Sequence, residues 1–425
     1  MEQSLLTIEA LSTRGEGIAR REGKAVFVPF ALPGESLQGR VIEQHKNYDR
    51  AIAIEFQHTS SLRTDPECPY FGVCGGCHLQ HVQYQEQLCL KQQWLEETFR
   101  RIVHLEVRVN PVIPSPPYFY RNKISPLIFI EQKALHVAYH QIYQPNRLVL
   151  IEDCAIAHPL IRAAIVPVRD VLRGVRFRFS RQSRNPARVV LRVIDDRLTL
   201  HLPGVQVQEK EKQSVRDRMK VQANIHTVLF DGEEPGTGED FDEESSGVSQ
   251  ASFLQVNDVI RAKLYDYVLN LPFRNSGSVL DGYCGVGMLT VQLAERFAHV
   301  TGVEANRAAV RDAEERIRVQ GRASQVQVHG EPMERYLHKV QRGYDVVILN
   351  PPRAGLSEAI CREVAALQPE ELVMISCHPA ALARDVSRLV QAGYQIQSLQ
   401  PFDMFPQTYH YEVVGHLRKS NHVGA

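Results

Sequence analysis

The spacing of hydrophobic and polar residues changes twice along the chain, and the changes divide it into three parts. In residues 1–58, short apolar runs alternate with turns that contain glycine and proline, a pattern typical of a small β-barrel. Residues 59–250 remain β-rich around one helical stretch. In residues 251–425, strands and helices alternate, which predicts a parallel α/β sheet.

One apolar run in the third part leads directly to a cysteine. The run 372–375 follows two acids and is closed by Pro379, which predicts a buried strand. Ser376, Cys377 and His378 therefore stand at the carboxyl end of a strand, where open α/β sheets bind their ligands. On this stretch alone, a cysteine that merely packs in the core is the alternative interpretation.

The composition, with 44% hydrophobic and 23% charged residues, is that of a globular protein in water. No apolar stretch approaches the length of a membrane span, and the amino terminus lacks a signal-peptide pattern. We therefore expect a cytoplasmic protein with no membrane partner. In a reducing compartment, the eight cysteines are better explained as metal ligands or catalytic groups than as a disulfide scaffold.

Charge is unevenly distributed although the formal net charge is zero. Residues 162–220 contain 15 Lys and Arg against six Asp and Glu, which predicts a basic face suited to phosphate. Residues 231–244 contain eight acids and no base. We expect residues 231–247 to form an acidic, solvated linker, because they lack the hydrophobic residues needed to fold.

Three cysteines lie close together after the predicted barrel. Cys68, Cys74 and Cys77 are separated by six and three positions, with two glycines before the last, so a tight loop can direct their thiolates to one centre. Cys154 is the plausible fourth ligand. Four thiolates suit either zinc or an iron–sulfur cluster, although zinc sites usually contain two Cys-x-x-Cys pairs. We expect the amphipathic helix predicted over 84–102 to pack over this loop.

A glycine turn in the third part indicates a nucleotide-like cofactor. A strand through Asp281 leads to Gly285 and Gly287, and a second strand ends at Glu304, 17 residues after Gly287. A carboxylate in that position can accept both ribose hydroxyls. A nicotinamide enzyme would need a third glycine near Thr290. The pattern instead resembles that of class I S-adenosylmethionine-dependent methyltransferases.

Further motifs extend the resemblance over the whole chain. The turn 15–20 and the run 28–35 resemble the TRAM domain, an OB-like RNA-binding barrel. The segments 350–356, 376–379 and 402–412 resemble, in this order, motifs of the RNA (uracil-5-)-methyltransferases, and Phe253 to Asn257 resembles the motif that opens their catalytic domain. The candidate RNA contacts on the barrel are Arg20, Arg21, Lys24, Phe27 and Lys46.

This resemblance implies a role for each matching residue. Cys377 would be the nucleophile that adds to carbon 6 of uracil, and Glu412 the base that removes the proton from carbon 5. A [4Fe-4S] cluster would be held by Cys68, Cys74, Cys77 and Cys154. The implied S-adenosylmethionine contacts are Gln255, Asp281, Tyr283, Gly285, Gly287, Glu304, Glu331 and Asn350.

Two residues depart from the family pattern. Asn350 stands where the family usually has Asp, and His378 where it usually has Asn. These departures keep open a non-catalytic RNA-binding or ribosome-assembly factor on the same fold. The absence of a cysteine at Pro351 and Pro352 argues against a cytosine target, because RNA cytosine-5 enzymes have a Pro-Cys motif there.

The sequence therefore predicts a class I, Rossmann-like methyltransferase domain at 251–425, preceded by a TRAM-like barrel at 1–58 and a β-rich α+β domain at 59–250. The predicted reaction is formation of 5-methyluridine in RNA. The barrel and the cysteine loop resemble those of the ribosomal-RNA enzymes, so 23S ribosomal RNA is the expected substrate, with transfer RNA as the alternative. We expect a monomer.

Overall fold

The computed structural model describes residues 3–132, 134–179, 186–233, 255–340 and 343–420. None of the helices in these ranges is long and apolar enough to span a membrane. The predicted boundary at 58/59 coincides with the end of a strand, whereas the one at 250/251 lies outside the described residues. Most of the predicted acidic linker, from residue 234 to 247, also lies outside them.

The first part of the chain is a curled six-stranded sheet with the strand order β1-β5-β6-β4-β3-β2. A main-chain hydrogen bond from Glu9 N to Ile18 O, 2.8 Å long, joins the chain after β1 to β3 and so closes the curl. Apolar side chains that alternate along the strands fill its interior, as the sequence pattern predicts. The strands are β1 (Gln3–Thr7), β2 (Ala10–Leu11), β3 (Glu16–Arg21), β4 (Lys24–Pro29), β5 (Ser36–Gln44) and β6 (Tyr48–His58).

The central part follows helix α1 (Tyr84–Val103) and forms one apolar core between small sheets and two helices. The strand orders are β10-β9-β8-β12, β16-β14-β13-β7 and β11-β15. Its elements are β7 (Lys123–Ile124), β8 (Leu127–Glu131), β9 (Ala134–His140), β10 (Leu148–Leu150), α2 (Pro159–Arg173), β11 (Phe177–Phe179), β12 (Ala187–Arg188), β13 (Val190–Ile194), β14 (Arg197–His201), β15 (Val205–Val207), α3 (Glu209–Ala223) and β16 (Thr227–Leu229).

The third part is a seven-stranded sheet with the order β19-β18-β17-β20-β21-β23-β22, in which β23 runs antiparallel to both of its neighbours. The parallel α/β arrangement predicted from the sequence is confirmed. Its elements are α4 (Asp258–Leu269), β17 (Ser278–Gly282), α5 (Met288–Leu293), β18 (His299–Val303), α6 (Arg307–Val319), β19 (Val326–His329), α7 (Met333–Leu337), β20 (Val346–Leu349), α8 (Glu358–Ala366), β21 (Glu371–Ser376), α9 (Pro379–Gln391), β22 (Tyr394–Phe402) and β23 (Glu412–Lys419).

Helix α1 packs differently from the sequence-based expectation. Its Leu95 and Phe99 are fully buried in the apolar core of the seven-stranded sheet. Leu90 and Trp94 pack in a separate cluster with Leu79, which follows the cysteine loop. The helix thus joins the cysteine loop to the sheet, because two of its faces are apolar.

The start of the predicted acidic linker is anchored to the central part. Glu233 forms ion pairs with Lys212, at 2.9 Å, and with Arg216, at 2.9 Å. The carboxylate of Asp231 accepts a hydrogen bond from Gly204 N at 2.9 Å. The first residues of the predicted linker are therefore tied to the central part, while Asp231 and Gly232 are exposed to solvent.

Candidate active site

The turn that joins β17 to α5 depends on glycine. Gly285 has a φ of +57° and Gly287 a φ of +71°, in the left-handed region that other residues rarely adopt. A Cβ on Gly287 would lie 2.9 Å from Cβ of Ala313 on α6. Glycine therefore serves the backbone conformation at both positions, and at Gly287 it also allows the close approach to α6.

Two carboxylates flank the glycine turn. Glu304, just beyond β18, accepts a hydrogen bond from Gly285 N at 3.0 Å. Asp281, near the end of β17, is buried and accepts a hydrogen bond from the hydroxyl of Thr290 at 2.7 Å. Burial raises the pKa of Asp281 to about 7. The pairing of β17 with β18 brings both acids to the same edge of the sheet.

The other predicted cofactor residues lie around this edge. Asn350 follows β20 and its main-chain amide donates to Gly282 O at 3.1 Å. Tyr283 adopts a φ of +63° directly after β17. Glu331 lies beyond the end of β19, where Lys339 Nζ is 2.7 Å from its carboxylate, so this acid is already ion-paired. Its predicted contact with S-adenosylmethionine would compete with that ion pair.

The side-chain oxygen of Gln255, Oε1, is buried without a hydrogen-bond partner among the described residues. A buried polar atom without a partner costs about 1–3 kcal/mol, so it is usually satisfied by water or a ligand. The glycine turn and the two carboxylates fit a nucleoside cofactor such as S-adenosylmethionine, and Gln255 Oε1, just before α4, is a separate acceptor that lacks a partner among the described residues.

Cys377 and Glu412 are brought together by the pairing of β21 with β23. These strands are antiparallel, with Ser376 opposite Val413. Continuing this register by one residue places Cys377 opposite Glu412, and opposite residues in such a pair have Cα atoms about 4.5–5.5 Å apart and side chains on the same face. Only β20 separates β21 from β17, so Cys377 lies about 10 Å from the strand of Asp281.

Cys377 opens into a cavity of about 510 Å³ that is built by distant parts of the chain. Arg353 follows β20, and Tyr409 and His410 precede β23. Trp94 belongs to α1, and Arg14 to the barrel turn between β2 and β3. The sequence analysis gave no role to Arg14, Trp94 or His410, because only the tertiary packing brings them to the cysteine.

The charges around Cys377 act in opposite directions. Burial raises the pKa of the Cys377 thiol and the carboxylate of Glu412 raises it further, while Arg353 lowers it through its charge and a hydrogen bond. Glu412 is itself buried, and burial raises its pKa to about 7 against the opposing charge of Arg353. A carboxyl group with such a pKa can act as a base near neutral pH.

His378 does not act on the neighbouring thiol. Its Nδ1 accepts a hydrogen bond from Ala381 N at 3.2 Å, so this side chain caps the amino end of α9. Pro379 occupies the first helical position, where proline is favourable.

The segment 403–411, which we call the catalytic loop, is held by α1. Lys91 Nζ lies 2.5 Å from Asp403 Oδ1, and both side chains are fully buried. Gln87 and Gln407 exchange two hydrogen bonds of 2.9 and 3.1 Å. Gln407 O also accepts hydrogen bonds from the amides of His78 and Leu79, just after the cysteine loop. The catalytic loop is thus fixed on two sides.

The four predicted metal ligands surround a second cavity, of about 390 Å³. Cys68, Cys74, Cys77 and Cys154 all line it and all have free thiols. Burial raises the pKa of Cys154 to about 11 and raises that of Cys74 as well. Nevertheless, among the described residues no group of three or more His, Cys, Asp or Glu side chains is placed to hold a metal ion.

Comparison with known proteins identifies the family. Residues 245–420 match the tRNA (uracil-5-)-methyltransferase family, and residues 4–54 match the TRAM domain. An uncharacterized RNA methyltransferase of Halalkalibacterium halodurans is 30% identical, with 98% of this chain and 97% of that one covered. The 23S rRNA (uracil(1939)-C(5))-methyltransferase RlmD of Photorhabdus laumondii is also 30% identical, over 96% of this chain and 94% of that protein.

This chain belongs to the RNA (uracil-5-)-methyltransferase family. The sequence-based identification of an S-adenosylmethionine-dependent RNA (uracil-5-)-methyltransferase with a TRAM domain is therefore confirmed. The crystal structure of a tRNA (uracil-54, C5)-methyltransferase from Pyrococcus abyssi, solved with S-adenosyl-L-homocysteine, has a TM-score of 0.73 at 24% identity and covers 97% of this chain and 98% of that one. That likeness confirms the predicted fold of the enzyme over nearly its full length.

Proposed function

We propose that the enzyme methylates carbon 5 of a uridine in 23S ribosomal RNA through a covalent bond between Cys377 Sγ and carbon 6 of the base. The observation that carries this proposal is the register of β21 and β23, which sets Cys377 opposite Glu412. The Photorhabdus relative, whose name specifies 23S rRNA, supports the choice of RNA. The target base must leave its stack to reach Cys377, because the chemistry needs both faces of the ring.

We assign each protein-dependent step of the reaction to a residue of this site. The Cys377 thiolate adds to carbon 6, and the electrons of the double bond between carbons 5 and 6 move towards O4, which makes carbon 5 nucleophilic. Carbon 5 then bonds to the methyl group of a sulfonium, which S-adenosylmethionine would supply, and the methyl–sulfur bond breaks to leave S-adenosylhomocysteine. Glu412 then removes the proton from carbon 5, the double bond re-forms, and the Cys377 thiolate leaves. Arg353, which hydrogen-bonds the thiol, stabilises the thiolate before addition and after release.

The two departures from the family pattern are compatible with catalysis. Asn350 retains an acceptor oxygen at the end of β20, and its amide adds a donor. His378 caps α9 through Nδ1, a contact that an asparagine side chain can also make. Neither substitution removes a group from the pair Cys377 and Glu412, so nothing in this geometry favours a non-catalytic factor.

For the cysteine cavity we propose a [4Fe-4S] cluster. The support is the chemistry of the donor set: Cys68, Cys74, Cys77 and Cys154 line one cavity, and four cysteine thiolates are the usual ligands of such a cluster. Its role would be structural, because methyl transfer to uracil requires no electron.

Methyl transfer from labelled S-adenosylmethionine to RNA from cells that lack the enzyme tests the activity. We expect label in 23S ribosomal RNA with the wild type and with Cys89→Ala, a control thiol on α1, and none with Cys377→Ala. RNA that contains 5-fluorouridine should form a stable adduct with the wild type through Cys377, and none with Cys377→Ala. Label in transfer RNA alone would overturn the choice of substrate, and silence on every RNA would overturn the proposed activity.

Metal analysis tests the cluster separately. Protein purified without oxygen should contain roughly four irons and four acid-labile sulfides per chain. Cys154→Ala should lower both contents, and Cys89→Ala should leave them unchanged. Zinc in place of iron would overturn the cluster proposal and would leave the methyl-transfer proposal intact.

A further inference from the structure

His410 lies in the Cys377 cavity and has no part in the reaction steps described above. It is half-buried in the catalytic loop, two residues before Glu412. Its ring contacts that of Tyr409, with centroids 4.2 Å apart, and approaches those of Phe405 and His78. Aromatic neighbours on several sides fix the direction of the imidazole, as a group that positions a substrate atom requires.

Arg353 determines which nitrogen of His410 carries the proton. Arg353 Nη2 lies 3.3 Å from His410 Nδ1. A guanidinium has only donors, so Nδ1 must be the acceptor and the proton of the neutral ring is on Nε2. Within the described residues, Nε2 of His410 makes no hydrogen bond of its own. An N–H donor is therefore available in the cavity that contains Cys377.

The imidazole is uncharged at neutral pH. Burial and, to a smaller extent, the charge of Arg353 lower the pKa of His410 to about 4. A neutral imidazole can polarise a carbonyl oxygen by donating a hydrogen bond without giving up its proton. This property separates His410 from Glu412, which must accept a proton during the reaction.

We infer that the Nε2–H of His410 donates a hydrogen bond to O4 of the target uracil and stabilises the negative charge that forms there when Cys377 adds to carbon 6. The inference rests on the covalent mechanism proposed above. It makes His410 a catalytic residue, because it touches the reacting base.

The chemistry of the addition selects O4 rather than O2. When Cys377 adds to carbon 6, the negative charge is shared between carbon 5 and O4, because carbon 4 adjoins carbon 5. A donor that favours the addition must therefore act on O4. His410 and Arg353 line the same cavity as Cys377, and His410 stands two residues before Glu412, so its ring borders the space in which the base would react.

The hydrogen bond would also select uracil over cytosine. Addition of the thiolate forms the bond between sulfur and carbon 6 and moves the π electrons through carbon 5 to O4. The hydrogen bond from His410 becomes stronger as that oxygen gains negative charge. Cytosine has an amino group at carbon 4 in place of the oxygen, so its N–H donors would face the N–H donor of His410. Two buried donors without an acceptor are unfavourable, so this contact discriminates between the bases.

A cycle of enzyme and substrate changes tests the inference. We expect His410→Ala to lower kcat by about 10²–10³-fold with little change in KM, as for the loss of other oxyanion donors. RNA transcribed with 4-thiouridine presents sulfur, a poor acceptor, at that position. It should slow the wild type by about tenfold or more and should slow His410→Ala no further. His410→Gln, which retains an N–H donor, should recover part of the rate.

The controls distinguish three causes of lost activity: an unfolded variant, a failure of the proposed covalent mechanism, and a failure of the inferred contact with O4. His299→Ala removes an exposed histidine at the opposite end of β18 and should retain wild-type activity. Thermal unfolding and S-adenosylhomocysteine binding report whether each variant is folded. Equal slowing of the wild type and His410→Ala by the thio substitution would overturn the contact with O4. Absence of both methylation and the 5-fluorouridine adduct in the wild type would instead overturn the proposed function, and the inference with it.

Discussion

Lys91 and Asp403 form an ion pair that is completely enclosed by the protein, with Nζ 2.5 Å from Oδ1. Asp403 also accepts a hydrogen bond from the hydroxyl of Tyr84 at 2.8 Å. Burial lowers the pKa of Lys91, and the adjacent carboxylate opposes this shift. The pair attaches α1 to the start of the catalytic loop, so it links the position of His410 and Glu412 to a helix far away in sequence.

Removing one member of this pair should destabilise the enzyme strongly. Lys91→Met leaves Asp403 buried without its counter-charge, which costs about 3–5 kcal/mol in free energy of unfolding. Chemical denaturation measures the loss. The double variant Lys91→Met with Asp403→Asn should lose less than the sum of the single variants, since no buried charge remains. A loss for Lys91→Met no larger than that for the exposed Arg318→Met would contradict this account of the pair.

Glu412→Gln should stop the reaction after methyl transfer. Glutamine cannot take the proton from carbon 5, so the bond between Cys377 and carbon 6 should persist on ordinary uridine RNA. We expect turnover to fall by about 10²–10⁴-fold. A protein–RNA adduct that survives denaturing electrophoresis, carries the labelled methyl group and is absent from the Cys377→Ala, Glu412→Gln double variant is the measurement. Free, fully methylated RNA from Glu412→Gln would show that another group is the base.

The raised pKa of Glu412 predicts how stability depends on pH. The carboxyl group has a pKa of about 7 in the folded enzyme against 4.5 for the ordinary group. Between these values the folded state holds a proton that the unfolded state has lost, so the free energy of unfolding falls as pH rises from 4.5 to about 7. Chemical denaturation at about pH 5 and about pH 8 measures this dependence. Between these two pH values, the free energy of unfolding should fall less for Glu412→Gln than for the wild type. The exposed Glu295→Gln controls for the loss of a carboxylate, and an equal fall in all three proteins would contradict the prediction.

Gly287→Ala should weaken cofactor binding. The new Cβ would lie 2.9 Å from Cβ of Ala313 at a φ of +71°, so the turn must shift. Gly321→Ala is a matched control in the same sheet domain, because Gly321 has a φ of +65° but a Cβ added there would meet no described atom within 4 Å. Both should lose about 1 kcal/mol or more of stability from backbone strain. Calorimetry should show weaker S-adenosylhomocysteine binding for Gly287→Ala alone; equal affinities in the two variants would contradict a role for the turn.

The sequence by itself determined which strands end in candidate functional residues. Apolar runs followed by Asp281, Asn350 and Cys377 predict strand ends, and parallel strands must present those ends at one edge of a sheet. The glycine turn was equally visible, since only glycine adopts its backbone conformation without strain. Local patterns of this kind depend on neighbouring residues, which the sequence contains directly.

Only the tertiary structure decided how distant segments meet. The register of β21 and β23 places Glu412 opposite Cys377, and the packing of α1 brings Trp94 to the same cavity. His410 acquires its fixed tautomer from Arg353, 57 positions earlier in the chain. Contacts of this kind arise from the shapes of buried surfaces and from pairings across long loops. Hydrophobic periodicity indicates which face of a helix or strand is buried, but it does not indicate which other element that face packs against.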